Sequence, residues 1–316
     1  MAQEFEIVTN PRFRNLHVFL VNMHARIPHI HRELEVGFVL SGHILLRTNG
    51  RTIELGLFDG YMINPLEPHA FFDGRQDTVM LAIQVSPRLF ESFFTASPPL
   101  RFRHCASLRE AIADAGAYAD MMAQCLRLAR LYITGIPGQE YDCFAIIANL
   151  IAELRKHLEA EDIPMEAWQP IQRRMERFLA ILDDIDENFH HKLLLEDISA
   201  REGLSMPYLS HLFRDTLGMS FQEYLKRKRF EYARPLILGT RRSLLEISLE
   251  SGFSDARYMV ALFQEEFGCS PREYRQRHVE SRSFSMSGVG DAQRLLEKNE
   301  ALQLLTDIEN ASSITK

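Results

Sequence analysis

The chain is organised around the stretch GLSMPYLSHLF at residues 203–213, which returns as GFSDARYMVALF at residues 252–263. Each copy is followed by a Gly-x-Ser triplet and then by a tyrosine. At an offset of 50 positions, Tyr208, Phe213, Gly218, Ser220 and Tyr224 recur as Tyr258, Phe263, Gly268, Ser270 and Tyr274. A repeat at a fixed offset indicates one supersecondary unit that is used twice.

Each copy predicts two helices joined by a tight turn. The glycine that opens each copy ends the first helix, because glycine readily adopts the left-handed conformation that closes a helix. Ser205, and either Ser254 or Asp255, stand where the N-cap of the second helix belongs. One copy alone is equally typical of an ordinary helical hairpin. Two copies joined by the basic segment at residues 226–229 favour a double helix-turn-helix that reads DNA.

Four motifs in this region resemble the DNA-binding domain of AraC/XylS-type transcriptional regulators. They are LSMPYLSHLFR from residue 204, GMSFQEYL from residue 218, SGFSD from residue 251 and FGCSPREYR from residue 267. The resemblance implies two helix-turn-helix units in successive major-groove segments on one face of double-stranded DNA. It also implies a homodimer that senses a small-molecule effector and activates transcription by RNA polymerase.

The resemblance further assigns the DNA-contacting positions on the second helix of each copy. In the first copy these positions are Pro207, Ser210 and His211, with Arg214 placed for a phosphate contact. In the second copy they are Ala256, Arg257, Val260 and Ala261. Of those four side chains, Arg257 can make a bidentate contact to guanine, whereas alanine and valine offer apolar contacts to thymine. We therefore expect the two copies to read DNA unequally.

The N-terminal part reads as short strands separated by turn residues. Asn49-Gly50 and Asp59-Gly60 between apolar runs are strong hairpin signals. Strands are predicted at residues 16–22, 34–40, 44–48, 61–64 and 78–85. Regular strand spacing without a helix predicts an antiparallel β-barrel or sandwich, so the expected fold class is α+β, with an antiparallel β domain, a helical segment and an all-α DNA-binding domain.

The strands contain a second resemblance, to the cupin motif pair. The pattern is His29-x-His31-x-x-x-Glu35, with His69 in the later motif. The resemblance implies an effector site that includes all four side chains. Three imidazoles and one carboxylate suit Zn, Fe, Mn or Ni. A polar pocket for a carbohydrate-like metabolite, or a hydrogen-bonded buried network, is nevertheless favoured over a metal ion, and no cofactor is expected.

A metal-dependent cupin enzyme joined to a DNA-binding domain is the alternative function. It requires an open metal position with a general acid or base nearby. The favoured interpretation is a regulator without catalytic activity.

The domain boundaries follow from changes in pattern. A cupin-like β-barrel with an N-terminal arm is expected over residues 1–100, a helical segment over 101–163, a DNA-binding domain over 164–280, and a linker with a short helix over 281–316. The AraC/XylS resemblance implies that the segment 101–163 forms a dimer interface, whereas its apolar stripe alone fits packing within the chain equally well. The helical segment is predicted as one helix from Ser107 to Ile133 and a second one after Gly138. The last helix, at 292–308, has no assigned role. Pro235 predicts a kink near Glu231 or an early helix end.

Composition limits the class of protein. The chain has 316 residues, 46% of them hydrophobic and 25% charged, as in ordinary globular domains. Its four cysteines form no Cys-x-x-Cys pair and predict neither a disulfide framework nor a zinc finger. No secretory or membrane-spanning pattern is seen, so a cytoplasmic protein with no membrane partner is expected. The formal net charge of −7 arises outside the nearly neutral region 190–280, so DNA affinity must come from individually placed cations.

Overall fold

The computed structural model describes residues 13–74, 77–90, 101–103, 107–160, 165–280 and 293–314. The chain divides into two compact units, which are residues 1–172 together with 293–316, and residues 173–292. We call them the cupin unit and the helical unit. Most of the expected N-terminal arm and of the linker at 281–291 lie outside the described residues.

The cupin unit is built from antiparallel strands. Its described strands are β1 (Leu16–Met23), β2 (Arg26–His29), β3 (Leu34–Ser41), β4 (Ile44–Thr48), β5 (Arg51–Leu55), β6 (Gly60–Ile63), β7 (His69–Phe72), β8 (Val79–Val85) and β9 (Gln293–Leu295). They form one sheet of order β6-β3-β8-β1-β9 and another of order β2-β7-β4-β5. This architecture confirms the α+β class with an antiparallel cupin-like domain.

The turn between β4 and β5 shows why the sequence folds this way locally. Asn49 and Gly50 have φ values of 48° and 71°. Two successive residues in the left-handed region make the turn whose twist matches a tight hairpin, and asparagine and glycine tolerate that region best. The sequence patterns missed β2, β5 and β7. Two of these strands have only four residues, too few to show a clear alternation of buried and exposed positions.

Three helices follow the strands, namely α1 (Leu108–Ala111), α2 (Ala115–Thr134) and α3 (Glu140–His157). The prediction of one uninterrupted helix from Ser107 to Ile133 was wrong. Asp114 starts a new helix, because its carboxylate accepts hydrogen bonds from Gly116 N at 2.8 Å and from Ala117 N at 3.1 Å. The apolar faces of α2 and α3 join the core formed by strands β1, β3 and β8.

The C-terminal segment returns to the cupin unit. Strand β9 pairs with the end of β1, and helix α11 (Lys298–Ile314) packs against α2. Leu305 is fully buried in that contact, and Arg130 on α2 donates to the Glu309 carboxylate at 2.8 and 3.1 Å. The helix predicted at 292–308 therefore begins later, at Lys298, because residues 293–295 form strand β9.

The remaining helices are α4 (Met165–Asn188), α5 (Leu195–Glu202), α6 (Met206–Leu217), α7 (Phe221–Gly239), α8 (Leu244–Glu250), α9 (Ala256–Phe267) and α10 (Pro271–Glu280). The pairs α5–α6 and α8–α9 are the two predicted copies, and α7 joins them. Gly203 and Gly252 adopt φ values of 61° and 79°, as the turns require. Among the helices of the described segments, none is both long enough and apolar enough to cross a membrane.

Helix α7 continues through Pro235 to Gly239. An early helix end at this proline was therefore a wrong expectation. The physical reason is packing on both sides of it, since Phe230, Ala233 and Ile237 are all buried in one apolar cluster with α8 and α9. The burial of three side chains offsets the hydrogen bond that proline cannot donate.

Candidate functional site

The cupin unit brings the four predicted side chains together. His29 ends β2, directly opposite His69 on β7, and Glu35 lies on β3 of the other sheet. His31 lies just beyond the end of β2, two residues after His29. One ring nitrogen from each histidine falls within 4.8 Å of the other two. The cluster therefore joins residues of both sheets.

The histidine rings are oriented by backbone carbonyls. Nδ1 of His29 lies 3.0 Å from Ile27 O, Nδ1 of His31 lies 3.0 Å from Glu33 O, and Nδ1 of His69 lies 3.0 Å from Glu67 O. A carbonyl only accepts, so each neutral ring carries its proton on Nδ1 and a lone pair on Nε2. All three Nε2 atoms are buried and make no hydrogen bond.

Glu35 is held by two donors. The Tyr61 hydroxyl donates to Oε1 at 2.8 Å, and Gln84 Nε2 donates to Oε2 at 2.7 Å. Tyr61 is only 1% exposed and Glu35 only 3%, so these bonds lie inside the domain. They orient the carboxylate toward the histidines, as residues behind metal-binding side chains commonly do.

Burial and neighbouring charges shift the pKa values of this cluster. Burial lowers the pKa of His69 to about 3 and also lowers the pKa of His29 well below its usual range. Burial would raise the pKa of Glu35, but its contact with His31 and the Gln84 hydrogen bond together hold it well below its usual range. The pKa of Tyr61 is raised by burial and by the adjacent Glu35 carboxylate. A neutral His29 and His69 thus face an ionised Glu35.

The donor set fits a cation. His31 Nε2 lies 3.0 Å from Glu35 Oε2 in a geometry that makes no hydrogen bond. Two such atoms repel each other at this distance unless a proton on His31 Nε2 or a metal ion lies between them. Three imidazole nitrogens and a carboxylate oxygen are ligands that a divalent transition metal prefers. His29, His31, His69 and Glu35 are therefore the residues that would hold such an ion.

Other polar residues of the same domain either lie outside the histidine cluster or hold one of its side chains in place. Arg47 is exposed and lies over the Phe72 ring, with 5.6 Å between its guanidinium carbon and the ring centroid. Asn64 belongs to a separate buried network, in which it donates to Glu67 at 2.9 Å. Sequence reasoning missed Gln84. The available signal was a polar residue within the otherwise apolar strand Val79–Val85.

The helical unit places the second helix of the first copy as expected. Ser205 caps α6 by accepting from Tyr208 N at 3.3 Å. Leu209, Leu212 and Phe213 are buried. Pro207, His211 and Arg214 are exposed and Ser210 is half-buried, so the four assigned side chains avoid the core.

The second copy differs at the start of its second helix. Asp255, not Ser254, caps α9 by accepting from Arg257 N at 2.8 Å. Arg257 and Ala261 are exposed, whereas Ala256 and Val260 are half-buried. Asp255 Oδ2 also accepts from Arg257 Nε at 2.8 Å and lies 2.6 Å from Nη2. The contact with Arg257 lowers the pKa of Asp255.

Comparison with known families follows the same division of the chain. Residues 18–84 match the cupin domain, and residues 198–277 match a helix-turn-helix domain. The first range contains the His29, His31, Glu35 and His69 cluster, and the second contains both helix-turn-helix copies. The chain therefore combines a cupin domain with an AraC-type helix-turn-helix domain.

The chain is also similar to individual HTH-type transcriptional regulators. The chain is 32% identical over 142 residues to the uncharacterized HTH-type transcriptional regulator YijO of Escherichia coli K12, covering 45% of this chain and 48% of that one. It is 30% identical over 132 residues to the HTH-type transcriptional activator RhaR of Klebsiella pneumoniae, covering 42% and 45% of the two chains.

Among solved structures, the C-terminal domain of the response regulator yesN from Fusobacterium nucleatum is 33% identical and covers 32% of this chain and 98% of that one, with a TM-score of 0.30. The chain spans less than half the length of the curated relatives YijO and RhaR.

Proposed function

We propose that this protein is a DNA-binding transcriptional regulator whose cupin unit binds a divalent transition metal ion. The DNA-binding part of the proposal rests on the two capped recognition helices, which bury their apolar faces and expose the assigned contact residues. The family match over residues 198–277 supports it. The base-contacting set is Pro207, Ser210, His211, Ala256, Arg257, Val260 and Ala261, with Arg214 on phosphate.

One observation carries the metal part of the proposal. Three buried Nε2 atoms converge beside the ionised Glu35 carboxylate, and none of them makes a hydrogen bond. A pocket for a sugar needs donors and acceptors around a cavity large enough for the ligand, typically ~300 Å³ or more. This cluster instead offers acceptors within the reach of one ion. When bound, the ion would supply positive charge that links the two sheets.

The finer functional assignments come from the family. RhaR and a second Klebsiella pneumoniae relative, RhaS, are HTH-type transcriptional activators, which supports activation of transcription by this chain. RNA polymerase is then the expected partner. We expect a cytoplasmic homodimer that uses the α2–α3 segment for dimerisation. The ion is then the effector, or it forms part of the site for a small polar effector such as a carbohydrate.

Metal analysis tests the proposal directly. The full chain, purified without a chelator or a metal-affinity tag, should contain about one transition metal ion per chain. After removal of that ion, titration calorimetry with Zn²⁺, Mn²⁺, Ni²⁺ and, under anaerobic conditions, Fe²⁺ should show one saturable site for at least one ion. His29→Gln and His69→Gln should each abolish that site.

His43→Gln is the matched control, because it removes a half-buried imidazole of the same domain that lies outside the cluster. Equal loss of metal in His43→Gln, or no saturable binding of any of the four ions, would contradict the metal assignment. A thermal-shift screen with sugars and sugar acids then tests the alternative effector, since a ligand bound to the native state raises its apparent stability.

A further inference from the structure

Arg257 is held along one edge by the residue that caps its own helix. Its Nε donates to Asp255 Oδ2 at 2.8 Å, and its Nη2 lies 2.6 Å from the same oxygen. The other carboxylate oxygen of Asp255 accepts from Arg257 N at 2.8 Å. Despite these contacts the Arg257 side chain is 88% exposed. The pair therefore projects from the start of α9 while its direction is constrained.

The shape of the Arg257 guanidinium decides which of its N–H groups remain available after the contact with Asp255. The group presents five N–H bonds in a rigid plane, which form a side edge at Nε and Nη2 and an end edge at Nη1 and Nη2. Asp255 occupies the side edge. Within the described segments no acceptor engages Nη1, so the end edge remains available for a second acceptor pair. Guanine offers such a pair, O6 and N7, in the major groove.

We propose that Asp255 is a positioning residue, which orients Arg257 so that the end edge of its guanidinium reads one guanine. This inference rests on the proposed DNA binding and identifies how the second copy obtains base specificity. The first copy has no equivalent device, because Ser205 caps α6 and the position that matches Arg257 holds Pro207.

The carboxylate also changes how Arg257 responds to the DNA backbone. An adjacent negative charge offsets the attraction of the guanidinium to phosphates, which dominates non-specific binding. Asp255 should therefore weaken non-specific affinity and strengthen the preference for guanine. In water the exposed pair adds little to folding stability, so removing the carboxylate should not unfold the unit. Opposite effects on affinity and preference distinguish positioning from a purely structural role.

The experiment uses the full chain and a library of randomised 30-base-pair duplexes. Sequences selected by the wild-type protein should show one guanine preferred over other bases by about 5- to 150-fold in one half-site. Arg257→Ala should abolish that preference, and Arg257→Lys should reduce it, because an ammonium can donate to guanine but has no rigid planar edge that Asp255 could orient. Asp255→Ser keeps a helix cap of the kind found at Ser205 and should lower the preference by about twofold or more.

Salt dependence provides the second measurement, made with a duplex that lacks the selected site. Asp255→Ser should bind this duplex more tightly than wild type, and its logarithmic salt slope should steepen by about 0.9. His211→Ala, in the first copy, should relax base preference in the other half-site and leave the preference for this guanine unchanged. Thermal melting of each variant verifies that the helical unit remains folded.

Two results would overturn the positioning role of Asp255. One is an unchanged guanine preference in Asp255→Ser. The other is a uniform loss of affinity for all duplexes, which indicates a structural effect on α9. Failure of the proposed function looks different, because the wild-type chain would then select no sequence from the library.

Discussion

The two helix-turn-helix copies have equivalent aromatic cores and differ in the residues at the surface that would meet DNA. Phe213 packs edge-on against Phe178 and Phe221, with ring centroids 5.0 and 5.5 Å apart. Phe263, its counterpart, stacks on Phe267 at 4.4 Å and contacts Tyr274 at 5.6 Å. The outward positions, in contrast, hold serine and histidine in one copy and arginine, alanine and valine in the other. Core positions in the repeat are thus limited by packing, whereas surface positions are open to different DNA contacts.

The largest expected effect tests the equivalence of the two cores. Phe213→Ala and Phe263→Ala should each destabilise the chain by about 3–5 kcal/mol, because both rings are fully buried. Urea unfolding followed by circular dichroism measures the loss. Tyr258→Ala is the control, since its side chain is 59% exposed and its removal should change stability by less than about 0.5 kcal/mol. A much smaller cost for one phenylalanine would show that only one copy depends on its aromatic core.

The turns should respond unequally to the same substitution. Gly203→Ala places a side chain at φ 61° in open space, so it should cost only the left-handed penalty of about 1–2 kcal/mol. Gly252→Ala carries the same penalty and also a Cβ placed 2.7 Å from His190 Cα and 2.8 Å from His190 O, which should add about 1–3 kcal/mol. Equal midpoints of thermal unfolding in the two variants would contradict this difference.

A charge exchange between the copies tests their contacts with phosphate. Arg214 is exposed on α6, and the matching position on α9 is the exposed Gln264. Arg214→Gln should weaken binding to all duplexes alike and reduce the logarithmic salt slope by about 1. Gln264→Arg should raise affinity and steepen the slope by a similar amount. A change in base preference, measured by gel-shift titration over several salt concentrations, would instead indicate that Arg214 reads a base.

The smallest effect concerns the two caps. Ser205→Asp and Asp255→Ser should each leave the free energy of unfolding within about 0.5 kcal/mol of wild type, because serine and aspartate are similar N-cap residues. Alanine at either position should cost about 1 kcal/mol, because one amide at the helix start loses its acceptor. If Asp255→Ser is as destabilising as Asp255→Ala, the exchange of caps between copies fails, and serine does not replace the aspartate at the start of α9.

Sequence reasoning succeeded where a local pattern carries the structure. Ser205, Asp255 and the turn glycines follow from the chemistry of helix ends, and the buried face of α6 follows from residue spacing. The convergence of His29, His31, Glu35 and His69 came from the resemblance to cupins. The uninterrupted helix across Asp114 and the early end of α7 at Pro235 were wrong, because a capping carboxylate and the packing of neighbouring helices decided these points. The alternative of a kink near Glu231 stays a prediction.

The sequence by itself therefore determined the repeat, the order of the two domains and the cap of the first recognition helix, and it narrowed the cap of the second one to Ser254 or Asp255. These features depend on contacts within a few positions along the chain. Only the tertiary structure decided that Tyr61 and Gln84 hold Glu35 and that β9 and α11 join the cupin unit. Those contacts link residues 26 or more positions apart, and strand register and core packing, rather than local spacing, bring such residues together.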